Sequence, residues 1–102
     1  MRIRFTETFN KWFIKLKDLK AKIRITKRLE RIKEDNNMGD VKSLGDSLYE
    51  IRIDYGCGYR IYFTYKNNEV IILLCGGDKS SQDKDIANAK KIIKNNEVDY
   101  DN

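Results

Sequence analysis

The chain has 102 residues, 40% hydrophobic and 36% charged, with a formal net charge of +5 and a pI near 9.2. That length is expected to make one α+β domain, and the basic balance points to a polyanion or an acidic partner. No apolar run reaches transmembrane length, the N-terminus lacks a signal-peptide core, and Cys57 and Cys75 have no metal or disulfide spacing, so the expectation is a reduced cytoplasmic protein with no membrane, metal or cofactor.

The charge is uneven: residues 1–35 hold twelve Lys and Arg against five Asp and Glu, whereas residues 36–78 hold four against six. Residues 2–6 alternate charged and apolar, as a half-buried strand does. Phe9, Trp12, Phe13, Leu16 and Leu19 then recur on one helical face. This aromatic stripe is read as core. A second helix over 21–35 turns Ile25, Leu29 and Ile32 inward and Lys22, Arg24, Lys27, Arg28, Arg31 and Lys33 outward. Turn residues over 35–40 end it.

Three strands follow, over 48–54, 59–65 and 70–75. The first two alternate and are joined by the glycine-rich turn Tyr55-Gly56-Cys57-Gly58. The third is apolar throughout, as a strand buried on both faces and central in its sheet must be. Gly76-Gly77-Asp78-Lys79 is expected to break it. Ser80 or Ser81 then caps a last helix, with Asp83 in its first turn and Ile86, Ala89 and Ile93 inward. The predicted order is β-α-α-β-β-β-α, a twisted, mainly antiparallel sheet with an N-terminal helical hairpin and a C-terminal helix. Residues 1–95 form the domain and 96–102 a polar, frayed tail.

This order resembles the RelE/ParE toxin superfamily, and the wording is similar to its HigB-like branch of addiction-module killer proteins. The resemblance is carried by Phe9–Leu19 with Trp12 and Asp18, by Ile25–Leu29, by Gly39–Lys42, by Tyr49–Ile53, and most specifically by Gly58–Phe63 and Leu74–Gln82. It covers roughly residues 5–93. Cys57 stands where the branch usually has proline between two glycines, and Ser47 where glycine is more familiar. The resemblance implies a toxin that arrests growth, commonly by cutting messenger RNA on the ribosome. It also implies an antitoxin partner, in this branch commonly a helix-turn-helix protein.

With no histidine, the usual ribonuclease acid–base pair cannot exist. No carboxylate cluster has two-metal spacing, and no phosphate loop is present. Cleavage by attack of a ribose 2′-OH on its own phosphate remains, with cationic side chains stabilising the charge. Arg52 and Arg60 are the first candidates. An even register, 52 opposite 60, keeps both strand faces chemically consistent and sets the two arginines about 5 Å apart at Cβ. Like charges so opposed need an anion between them: a bound phosphate, or Glu50 or Asp54. Lys79 lies between a strand end and a helix start, where an anion is favoured but a lysine adds no local stability.

Tyr62 shares the face of Arg60 and could stack a base or donate a proton, and Tyr59 flanks it; either could instead be half core. Lys42 and Gln82 lie in family-like segments and complete the RNA-binding candidates. The basic second helix could hold ribosomal RNA through phosphate contacts, or be an ordinary charged face. Two alternatives stand beside the ribosome-dependent endoribonuclease: a ParE-like inhibitor of a DNA topoisomerase, and a non-catalytic RNA-binding domain.

Overall fold

The computed structural model describes residues 1–95, so the expected tail from Asn96 lies outside the described residues. Along the chain come β1 (Arg2–Phe5), α1 (Glu7–Lys15), α2 (Leu19–Asp35), β2 (Val41–Gly45), β3 (Leu48–Ile53), β4 (Tyr59–Lys66), β5 (Val70–Asp78), a single 3-10 turn (Lys79–Ser81) and α3 (Gln82–Lys94). The sheet runs β1-β5-β4-β3-β2, parallel between β1 and β5 and antiparallel elsewhere. The class is α+β as expected.

Helices cover both faces of the sheet because strand residues alternate. Ile51, Ile53, Ile61, Phe63, Ile71 and Leu73 face α1 and α2, where Phe9, Ala21, Ile25 and Ile32 close one core. Leu48, Tyr62, Ile72, Leu74 and Cys75 face α3, where Ala89 and Ile92 close a second. The start of α1 is tied to β5 by Thr6, whose hydroxyl accepts from the Phe9 N–H (3.1 Å) and donates to the Leu74 carbonyl (2.7 Å). Asp18 caps α2 by accepting from the Ala21 N–H.

Four expectations need correction. The first helix ends at Lys15, and Leu19 opens α2 with 70% of its surface exposed instead of joining the stripe. Leu16 between them is extended, which turns the chain before the period can continue. Second, the order has one strand more than predicted. Val41–Gly45 pairs with β3 as an edge strand. An irregularity between Ser43 and Gly45 breaks its alternation, leaving Val41 and Leu44 as its half-buried positions. Asp46 and Ser47, both at positive φ, make the tight turn into β3.

Third, Gly76 and Gly77 do not break β5. They stay in its ladder opposite Ile61 and Arg60. A Cβ on Gly76 would run into the Trp12 ring and one on Gly77 into the Asp85 carboxylate, so the strand passes between two layers that leave no room for side chains. Fourth, Ser81 makes no side-chain cap to α3. Asp78 caps the preceding turn by accepting from the Ser80 N–H at 2.8 Å.

The buried acids of this fold set a prediction for alkaline pH. Burial pushes the Cys75 thiol from 9.0 up to about 12. Burial, with a lesser contribution from Cys57, pushes Tyr59 from 10.0 to about 12, and burial raises Tyr62 as well. The folded chain therefore holds these protons more tightly than the unfolded chain does. Their contribution is complete below the unfolded values and is lost as pH rises from 9.0 toward about 12. Far-ultraviolet circular dichroism against pH should show unfolding in that window, with tyrosinate absorbance rising together with it. Tyrosinate that forms well before the helical signal falls would contradict the burial of these side chains.

Candidate functional site

The candidate site lies on the sheet face that α3 only partly covers. Arg52 pairs with Arg60 and Glu50 with Tyr62 across β3 and β4, so the register is even. The rows continue to Gly77 and Cys75 on β5, and Lys42 on β2 stands opposite Glu50. The two arginines do not share one carboxylate. Arg60 Nε lies 3.8 Å from Glu50 Oε2, within a pair whose side chains are 11% and 1% exposed. Arg52 instead reaches Asp40, with Nη2 at 3.1 Å and Nε at 3.3 Å from Oδ1. Asp54, the other acid considered from sequence, is exposed and pairs with neither.

Lys79 joins Arg60 over a glycine. Gly58 has φ +80, and a Cβ there would lie 3.1 Å from Lys79 Cδ and 3.6 Å from Arg60 Nη1. The absence of a side chain thus lets the lysine stem and the guanidinium meet over the same backbone. Arg60 Nη1 also donates to the Tyr59 carbonyl at 3.1 Å. Beside Lys79, Asp78 is held below the usual carboxylate range, chiefly by the Ser80 hydroxyl, which donates to it at 2.6 Å. Gln82 Nε2 donates to Glu50 Oε2 at 2.6 Å, which ties the first residue of α3 to β3.

The tyrosines are placed differently from expectation. Tyr62 does share the face of Arg60, but it is fully buried under α3, so no base can stack on it. Burial first, and then Glu50, raises its pKa; its hydroxyl has no partner among the described residues. Tyr59 points to the opposite face, into the core beneath α1 and α2.

The six basic residues of α2 also divide. Arg24, Lys27 and Arg31 are exposed and line an open groove of about 720 Å³ that ends at Ile53 and Asp54. Arg24 lies over the Tyr55 ring, 4.5 Å from its centroid. Lys22 instead donates to the Ile14 carbonyl at 3.1 Å and lies over Phe13, joining the two helices. Lys33 lines a separate, mostly apolar groove with Ile3, Phe5 and Phe13. Arg28 borders the same groove but is only half exposed. It donates to the carbonyls of Arg52 (2.8 Å) and Met38 (3.3 Å), and burial lowers its pKa. It is a strut between α2 and the sheet. The α2 strip and the Arg60 patch therefore lie on opposite sides of the sheet.

One face thus brings together Arg60, Arg52, Lys79, Gln82 and Lys42 from the sequence candidates. Sequence reasoning missed the pairing of Asp40, which directly precedes a strand it did not see, and the buried role of Glu50. An acid alternating with Leu48 on a strand face was the available signal for Glu50. Arg52, on a half-exposed and hence weak pair with Asp40, can turn to a phosphate at low cost. Arg60 is held by Glu50 and the Tyr59 carbonyl, whereas Lys79 is an exposed cation that can also donate a proton.

Comparison with known proteins agrees with this architecture. Residues 11–96 match the family described as phage-derived Gp49-like protein. An uncharacterised protein of Haemophilus influenzae is 51% identical over 90 residues, 88% of this chain and 90% of that protein. A chain of the intact RelBE toxin–antitoxin complex of E. coli superposes with a TM-score of 0.62 at 22% identity, covering 76% of this chain and 94% of that one. A chain of the RelB–RelE antitoxin–toxin complex of Methanococcus jannaschii gives 0.64 at 21% identity, covering 78% and 94%. The isolated E. coli RelE toxin gives 0.61 at 22% identity, covering 83% and 97%.

Proposed function

Because this chain belongs to the phage-derived Gp49-like family and has the RelE fold, we propose that it is the toxin of a type II toxin–antitoxin pair, a HigB-like, ribosome-dependent messenger-RNA endoribonuclease of the cytoplasm. The observation that carries this reading is the meeting of Arg60 and Lys79 over Gly58, with Arg52 opposite Arg60 on the same face. Such a patch suits an in-line displacement at phosphorus that needs positioning and charge more than covalent chemistry. The ribose 2′ oxygen bonds to phosphorus, the bond from phosphorus to the 5′ oxygen breaks, and a cyclic phosphate is left. The 2′ proton passes to water, and Lys79 protonates the departing 5′ oxygen. Arg60 and Arg52 hold the phosphoryl oxygens without a metal ion.

Around this centre, Lys42 and Gln82 contact the RNA. The strip of Arg24, Lys27 and Arg31 holds ribosomal RNA by salt-sensitive phosphate contacts. The antitoxin is an acidic-segmented helix-turn-helix protein that covers the cationic sheet face by charge complementarity. The test is a translating ribosome system programmed with a defined messenger RNA, mapped by primer extension, beside EDTA-treated free RNA. Cuts in the translated message that are absent from the EDTA-treated free RNA are expected. Intact RNA from a protein that still arrests growth would overturn the reading in favour of topoisomerase inhibition. RNA bound with a steep salt dependence but left uncut, without growth arrest, would mark a binding domain.

A further inference from the structure

We propose that Glu50 is the positioning residue of this site: a buried carboxylate that fixes Arg60 and Gln82 relative to each other, so that Arg60 and Lys79 meet a phosphate as one rigid cradle. Its effect on turnover rests on the RNA-cleaving reading above; its hold on Arg60 does not.

Glu50 is 1% exposed, among Leu48, Tyr62 and the α3 layer. A carboxylate withdrawn from water is costly, and an apolar residue of similar size in its place is often as stable or more so. Stability alone therefore gives no reason for an acid here. What the acid does is bridge two elements. Its Oε2 accepts from Gln82 Nε2 at 2.6 Å and faces Arg60 Nε at 3.8 Å. Gln82 is the first residue of α3, directly after the turn that carries Lys79. The Gln82 bond thus anchors the helix start that follows the Lys79 turn, while the same oxygen faces Arg60.

Arg60 Nε is shielded from solvent and has no hydrogen-bond partner among the described residues, so the Glu50 charge is what holds that edge of the guanidinium. Nη1 is taken by the Tyr59 carbonyl. The guanidinium is thereby held from two sides. Lys42, opposite Glu50, is exposed, and the Tyr62 hydroxyl has no partner among the described residues, so neither replaces Arg60 as a counter-group.

Glu50→Gln tests this because its amide oxygen can still accept from Gln82 while the charge is gone. In ribosome-dependent cleavage below the variant's melting temperature, kcat should fall about 10- to 100-fold with KM nearly unchanged, and the melting temperature should itself fall because the buried Arg60 charge loses its counter-charge. In an Arg60→Lys background, whose ammonium lacks the Nε edge, the same substitution should cost less than about twofold. Gln82→Ala, which breaks the bridge from the helix side, should also lower kcat more than it raises KM. Independently of RNA, hydrogen exchange of the Arg60 Nε–H, read by nitrogen-15 NMR, should be slow in the wild type and clearly faster in Glu50→Gln. Additive effects of the Glu50 and Arg60 substitutions, or unchanged Nε–H exchange, would overturn the proposal. A wild type that cuts no RNA would overturn the nuclease reading instead, and the exchange measurement would still decide whether Glu50 holds Arg60.

Discussion

Arg60→Lys is expected to lower RNA cleavage about 100- to 1000-fold, the usual loss when a preorganised charge donor is removed from a phosphoryl-transfer site. The fold should survive it. Lysine keeps a positive charge beside Glu50, so the buried carboxylate stays compensated, but it lacks the planar fork that can hold two phosphoryl oxygens at once. Arg60→Ala should be just as inactive for a mixed reason. It would strand a carboxylate that is 1% exposed, at a cost of about 3–5 kcal/mol, so part of its loss would be unfolding. Single-turnover cleavage and thermal melting, measured on both variants, separate the two effects. Near-full activity in Arg60→Lys would move the principal charge role to Lys79 or Arg52.

Gly76→Ala should give the largest loss of stability among single-methyl additions, about 3 kcal/mol, at the upper end of overpacking costs. The new Cβ would lie within the Trp12 ring, and Trp12 packs against Phe9 with centroids 5.7 Å apart. The half-buried ring must give way, and α1, which carries it, lifts from β5. Gly77→Ala meets the ends of the Asp85 and Ser81 side chains, which can swing aside, but that movement breaks the 2.5 Å bond from the Ser81 hydroxyl to Asp85. It should cost less stability and displace the start of α3, and with it Gln82 and Lys79. Urea unfolding gives the order of the two. A larger loss for Gly77→Ala would mean that the α3 layer is the stiffer of the two.

Sequence reasoning reached the strands whose pattern is set by burial alone. Alternation in β3 and β4 located both, and the demand for consistent faces set Arg52 against Arg60. The apolar run of β5 identified an interior strand, which indeed lies between β1 and β4. Legibility failed where a neighbour in space, not in sequence, decides the outcome. Gly76 and Gly77 look like a strand end until Trp12 and Asp85 are seen on either side. Arg28 sits among outward cations in sequence, yet the carbonyls of Arg52 and Met38 draw it inward. Tyr62 has the right parity for the site, but α3 covers it, and helix placement across a sheet is not written in strand periodicity. Asp40 stayed hidden because the irregular β2 beside it gave no alternating signal.

The parallel pairing of β1 with β5 has a consequence for biosynthesis. Arg2 finds its partner at Val70 and Phe5 at Leu73, so the first strand to leave the ribosome waits for most of the chain before it can pair. Contacts this distant in sequence form late and slowly. Lys79 and Gln82, which complete the cationic face, are translated later still. A nascent chain therefore carries Arg52 and Arg60 with no finished cradle around them. The cationic face is complete only after β5 and the start of α3 have been translated and docked.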